Sequence, residues 1–317
     1  MPERAAWNHH ADQTGHDPRL TESSFIASLR ALATHPAARH LTDDCAVLEF
    51  GGETLVLTHD MMVEGVHWMP GQDPADIAWK LVATNLSDLA AKGAEPIGVL
   101  LGYSLGADDL RFVDGMHEVL EAYSVPLLGG DTVGGGAVQA HGMTALGRAT
   151  HRPVPSRAGA QVGDRVWLTG TVGGAMLGYD AVRSGLDDPA NRRAFCRPRP
   201  LLAEGRMLAP RVTAMMDVSD GVLLDASRLA KASGVTLALN SDEVPLAAGV
   251  TQAGRSDEAL RWGDDYQLLF TLPAGMQPPV QATQIGEVRE PGPSPILLDG
   301  SPPDPAQPLG YLHGSSR

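Results

Sequence analysis

The run Asp73-Pro74-Ala75-Asp76-Ile77-Ala78-Trp79-Lys80-Leu81-Val82-Ala83-Thr84-Asn85-Leu86-Ser87-Asp88-Leu89-Ala90-Ala91-Lys92-Gly93 decides how the chain is read. Asp73 suits a helix cap, Pro74 suits the first turn, and Gly93 ends the helix at about Lys92. Ile77, Leu81, Asn85 and Asp88 fall at i, i+4, i+8 and i+11, along one stripe. Two polar residues therefore continue an apolar face that should be packed. A carboxylate carried into a core is costly unless it is paired or bound to a metal. The plainer reading ends the core after Leu81 and leaves Asp88 in water, and spacing alone does not choose between the two. Asn85-Leu86-Ser87 also matches a glycosylation sequon, which has no meaning without a secretion signal.

Outward from this helix the pattern alternates between strands and helices. Upstream, residues 22–34 carry Phe25, Ile26, Leu29 and Leu32 at helical spacing, with Thr21 as the cap. Cys45–Phe50 and Thr54–Thr58 read as two strands joined at Gly51-Gly52. Downstream, Ile97–Leu105 reads as a strand, Asp108–Ala122 as a helix and Val125–Leu128 as a short buried strand. Gly129-Gly130-Asp131-Thr132 and Gly134-Gly135-Gly136 make a flexible loop before the strand Gln139–Thr150. Residues 151–163 hold two prolines and two glycines without periodicity, and mark a domain boundary. Beyond it, strands are expected at Arg165–Thr169, Val212–Asp217, Val235–Leu239, Gln267–Leu272 and Gln284–Val288. One helix should run to about Ser184 and another should end at Gly234, while Pro291–Pro308 reads as loop. The fold class is α/β with α+β character, in two domains over 21–150 and 151–317. Residues 1–20 are polar, lack an apolar signal segment and read as a disordered leader.

Composition removes several classes of function. The net charge of −14 argues against nucleic acid as a partner, because phosphate contacts require an excess of Lys and Arg. No apolar run approaches the ~20 residues of a membrane span. Cys45 and Cys196 offer neither a disulfide framework nor zinc spacing, so a cytoplasmic setting is expected. The three lysines, Lys80, Lys92 and Lys231, never follow a glycine, which excludes a Walker A loop.

The chemistry lies in the placement of aspartates. Five segments set Asp beside small or hydroxyl residues at strand ends and helix starts: Thr42-Asp43-Asp44, Thr58-His59-Asp60, Asn85-Leu86-Ser87-Asp88, Gly130-Asp131-Thr132 and Asp217-Val218-Ser219-Asp220-Gly221. Mg²⁺ prefers carboxylate and water oxygens, and nucleotide sites recruit it with a few carboxylates plus the phosphates themselves. Taken singly, each segment is also a common turn or cap. The glycines of 129–136 would line phosphates with backbone N–H groups, as a flexible hairpin also would. The turn Thr169-Gly170-Thr171-Val172-Gly173-Gly174 precedes a helix whose N-terminus could hold an anion or could be a plain strand-to-helix turn.

With Gly65-Val66-His67-Trp68, Lys92-Gly93-Ala94-Glu95-Pro96 and Gly263-Asp264-Asp265-Tyr266-Gln267-Leu268-Leu269-Phe270 added in order, the chain resembles the thiamine-monophosphate kinases. These form part of the aminoimidazole-ribonucleotide synthase superfamily, and the resemblance covers roughly Ser23 to His313. It implies ATP-dependent phosphorylation of thiamine monophosphate to thiamine diphosphate, with several Mg²⁺ ions. It also implies an N-terminal ATP-binding and dimerisation domain whose mixed sheet joins its copy in a homodimer barrel, followed by a C-terminal α/β sandwich. Carried over by motif, Asp44, Thr58, Asp60, Asp88, Asp131, Asp217 and Asp220 would hold metal. Gly130, Asp131, Arg157 and Ser219 would contact ATP, and His67, Asp264 and Tyr311 the thiamine substrate. No general base is expected, since the acceptor is a phosphate oxygen. Thr42, His59, Val133-Gly134, Gly174 and Asp264 depart from the common pattern, which bears on the number of metals and on phosphate contacts. The alternatives are another ATP-dependent enzyme of the superfamily and a nucleotide-binding regulator without turnover. Selenophosphate and hydrogenase-maturation relatives are disfavoured because neither the leader nor the tail carries a cysteine.

Overall fold

The computed structural model describes residues 22–312. The leader, Thr21 and the tail from His313 lie outside the described residues. The first half runs α1 (Glu22–Leu29), β1 (Ala46–Phe50), β2 (Glu53–Val63), α2 (Pro74–Ala91), β3 (Ala94–Ser104), α3 (Asp109–Tyr123), β4 (Leu127–Val133) and β5 (Ala140–Ala149). The second half runs β6 (Arg165–Thr169), α4 (Gly174–Ser184), α5 (Pro189–Cys196), α6 (Leu202–Leu208), β7 (Ala214–Val218), α7 (Val222–Ser233), β8 (Thr236–Leu239), α8 (Ser256–Arg261), β9 (Gln267–Leu272), β10 (Ala282–Arg289) and β11 (Ile296–Leu298).

Each half builds one mixed sheet. The first has the order β1-β2-β5-β3-β4 and is antiparallel except for the β3/β4 pair. The second has the order β11-β8-β10-β6-β9-β7 and is antiparallel except for β11/β8. Helix α2 lies in the largest core cluster, where Leu81, Leu86 and Leu89 pack with Val56 and Met143 of the first sheet and with Met215 and Phe270 of the second. It is buried on nearly every side, as a helix half made of Ala, Leu and Val can be. Two glycines let neighbours close on it. A β-carbon on Gly115 of α3 would overlap the backbone of Ala75, and one on Gly205 of α6 would overlap the carbonyl of Ala90. Along β9, Leu268, Phe270 and Leu272 join the α2 core, while Leu269 joins a second core with Leu223 and Leu229 of α7. The second sheet is thus covered on both faces, as the period of two dictates.

Several expectations need correcting. The helix over 22–34 ends at Leu29. The strand expected to end at Thr58 continues to Val63 and carries Asp60 within it. The short buried strand at 125–128 is instead β4, which includes Gly129 and Gly130 of the expected flexible loop, leaves Gly134-Gly135-Gly136 outside any strand and is exposed along its whole length. Among the described residues only β3 pairs with it, which leaves its other backbone edge open there. The proline-rich segment contains β11, whose three residues pair with β8. Among the described residues, no helix is long and apolar enough to cross a membrane.

Candidate active site

Three segments far apart in the chain deliver carboxylates to one point. Asp44 stands just before β1, Asp88 in the last turn of α2 and Asp217 near the end of β7. Ligand oxygens of the three lie within 4.8 Å of one another. The run Asn85-Leu86-Ser87-Asp88 explains how they stay there. Asn85, fully buried, donates its side-chain amide to the Leu81 carbonyl (2.9 Å) and accepts the backbone N–H of Asp60 (3.2 Å). The Ser87 hydroxyl donates to Asp217 (2.6 Å), and that of Thr58 donates to Asp88. One helical turn therefore holds β2 and β7 in place while presenting its own carboxylate. The buried face continues past Leu81, and Asp88 lines a cavity.

Burial and mutual repulsion dominate the electrostatics. Burial, aided by Asp44 and Asp220, pushes the Asp60 carboxyl up to about 6. Burial and Asp44 push Asp217 to about 7. Asp88 rises well above the carboxylate range through burial, Asp60 and Asp217. Cations meet part of this charge: Lys92 Nζ lies 2.6 Å from Asp44, and Arg157 forms an ion pair with the same carboxylate. The neighbouring Asp43 is different. Burial opposes its charge, but Lys92 at 2.5 Å and Arg39 at 2.5 Å hold it far below the usual range. Hard carboxylate oxygens crowded at one point are a donor set that a divalent cation satisfies.

A cavity of about 370 Å³ opens over these groups. Asp44, Asp60, Asp88, Asp217, Asp220, Ser219 and Arg157 line it, as do His67, Asp264 and Tyr311. Thr58 sits behind Asp88. Gly130 and Asp131 do not join them: both lie on exposed β4, outside the cavity lining. His67 is shaped by its own turn, with Nδ1 accepting the N–H of Val63 (2.9 Å).

Three residues important to this arrangement escaped the sequence reading. Asp225, fully buried, accepts the backbone N–H groups of Ser219 (3.1 Å) and Asp220 (2.9 Å), and burial raises it to about 6. Its place in the first turn after Gly221 was the available signal. Asp265 accepts N–H groups from Gly173 (2.7 Å) and Ala175 (3.2 Å) at the start of α4, and burial raises it to about 7. The anion at that helix terminus is thus the protein's own side chain. Lys80 is the third: its ammonium is buried, bonded to Asp264 (2.8 Å), and lines the cavity.

Family models described as AIR synthase related protein, N-terminal domain, and AIR synthase related protein, C-terminal domain, match residues 42–149 and 161–292. They place the chain in that two-domain class. Within it, the chain is 35% identical over 322 residues to thiamine-monophosphate kinase of Caulobacter vibrioides, covering 93% of this chain and 91% of the relative. It is 35% identical over 249 residues to that of Salmonella typhimurium, covering 73% and 75%. A solved structure described as AaThiL complexed with AMPPCP and TMP superposes with a TM-score of 0.85 at 28% identity, covering 95% of this chain and all of the other. Thiamine monophosphate kinase from Aquifex aeolicus gives 0.77 at 27% identity, over 89% and 98%. The chain belongs to the thiamine-monophosphate kinase family.

Proposed function

We propose that this cavity transfers the terminal phosphoryl group of ATP to thiamine monophosphate, giving thiamine diphosphate and ADP. The observation that carries the reading is the meeting of Asp44, Asp88 and Asp217 within 4.8 Å. The acceptor is a phosphate oxygen that is anionic near neutral pH, so the obstacle is repulsion between two polyanions rather than removal of a proton. Mg²⁺, when bound, supplies the positive charge that draws the phosphates together. Asp44, Asp88 and Asp217 would hold it, with Asp60 and Asp220 beside them on the same wall and Thr58 steadying Asp88. Ser219 and Arg157 face the same space from the second half of the chain and suit the nucleotide; His67, Asp264 and Tyr311 suit the thiamine. No side chain is required as a general base.

A second copy of the chain completes the reading. Among the described residues β4 has one edge unpaired, and it exposes Leu127, Leu128 and Val133 by half or more. Pairing of that edge across a homodimer would cover these side chains and carry Gly130 and Asp131 toward the partner's cavity. On this reading residues 21–150 form the metal-binding and dimerisation domain and 151–317 the C-terminal domain. The two buried free thiols, Cys45 and Cys196, suit a reducing cytoplasm.

Purified protein given ATP, Mg²⁺ and thiamine monophosphate should release ADP and thiamine diphosphate in equal amounts, and a chelator should stop both. Asp88→Asn removes a charge but little volume, and should cut turnover at least a hundredfold while leaving circular dichroism unchanged. ATP binding without thiamine diphosphate formation by the wild type would refute the reading.

A further inference from the structure

Helix α2 presents Lys80, Thr84 and Asp88 to the cavity at i, i+4 and i+8. Eight residues at the helical rise separate Lys80 from Asp88 by about 12 Å. Along this stretch of helix the carboxylate cluster lies at the Asp88 end. At the other end stands an ammonium group with 1% of its residue surface exposed. Each of its faces is engaged. Lys80 Nζ donates to the carbonyl of His67 (3.0 Å) and to Asp264 (2.8 Å), and lies 4.1 Å from the centroid of the Phe195 ring.

Such a group is a poor choice for packing. A buried ammonium must be matched bond for bond, and Met or Leu would fill the same volume without that requirement. What Lys80 adds is a join between two turns from different sheets. His67 belongs to the turn after β2, and Asp264 to the stretch before β9. That stretch has left-handed backbone at Asp264 (φ 71°) and Tyr266 (φ 50°), which side-chain-bearing residues adopt only when held. The hold is visible: Tyr266 donates its hydroxyl to one oxygen of Asp264 (2.9 Å), and Lys80 takes the other. Fixed at both oxygens and 24% exposed, the carboxylate faces the cavity beside Trp262 and Tyr311.

We infer that Lys80 is a positioning residue for the organic end of the acceptor, clamping the His67 turn to Asp264 so that a cationic, amine-bearing ring system is recognised about two helical turns from the phosphate-transfer end. The inference rests on the kinase reading, since thiamine monophosphate carries a thiazolium cation and an aminopyrimidine at one end and its phosphate at the other. A fixed carboxylate between aromatic walls complements the first, and the aspartate cluster serves the second.

Wild-type turnover of thiamine monophosphate is measured first; its absence would defeat the kinase reading and leave the clamp to be judged by direct binding of thiamine monophosphate. Lys80→Met keeps the stem and removes the charge. It should raise KM for thiamine monophosphate about tenfold or more, with KM for ATP within about threefold and kcat falling less than KM rises. Direct binding without ATP should weaken by a similar factor. Lys80→Met and Asp264→Asn combined should cost little more than either alone, because both break one contact. If Lys80→Met does not fold, Lys80→Arg keeps the charge with a displaced head and should show the same selective rise in smaller degree. A parallel loss of both affinities, a fall in kcat alone, no change, or failure of both variants to fold would each overturn the proposal.

Discussion

Asp43 and Asp44 are neighbours that share Lys92 and differ in their further contacts. Asp43 is taken up by Lys92, Arg39 and the backbone N–H of Arg157, so it ties the segment after residue 151 to the first sheet. Asp44 turns to the cavity, where Asp88 and Asp217 meet it. The sequence offered the pair but not the division of labour: both meet cations, and of the two Asp44 also meets Asp88 and Asp217. Asp217 carries the sharper consequence. Its folded pKa, raised to about 7 by burial and Asp44, exceeds the ~3.9 of an unfolded aspartate. A raised carboxyl contributes stability that is full below about 4 and is lost as pH rises through about 7. Metal-free Asp217→Asn should therefore melt a few degrees above the wild type at pH 8, with the gap closing toward pH 4.5. Mg²⁺ at pH 8 should raise the wild type and leave the variant nearly unmoved. A gap that did not vary with pH would show that Asp217 carries no such penalty.

At the level of elements, α2 was the most legible and β4 the least. Asp73 caps α2 as expected, accepting the N–H of Ala75 (3.0 Å), and the helix ends at Ala91 with Lys92 as its C-cap. Its stripe predicted that Asn85 and Asp88 matter, though not that Asn85 would hold the backbone of Asp60 or Ser87 the carboxylate of Asp217. Those contacts join residues 25 and 130 positions apart, beyond the reach of periodicity. β4 was misread because Gly129 and Gly130 depress strand propensity, and only pairing with β3 reveals it. Helix α5 repeats the Asp-Pro opening of α2 at Asp188-Pro189, a signal present in the sequence and not used. The close packing of α6 on α2 supplies a test at this scale. Gly205→Val would drive side-chain atoms into the Ala90 carbonyl and should destabilise the protein by about 2–3 kcal/mol. An unchanged melting temperature would show that the two helices are less tightly joined than described.

For the molecule as a whole, the alternation of strands and helices was enough to foresee two mixed α/β halves. It could not show that α2 lies between their sheets, and the site depends on that placement. Asp44 reaches the centre from the edge of the first sheet, Asp217 from the edge strand of the second and Asp88 from the helix between them. Asp131 shows the limit of motif transfer: it stays on the exposed strand β4, outside the lining of the cavity that holds the other aspartates. The most direct measurement is anomalous diffraction at the manganese edge from crystals grown with Mn²⁺, a non-hydrolysable ATP analogue and thiamine monophosphate. The account predicts strong peaks within coordination distance of carboxylate oxygens of Asp44, Asp88 and Asp217, beside the phosphates. Ordered nucleotide with manganese absent from all three carboxylates would contradict it.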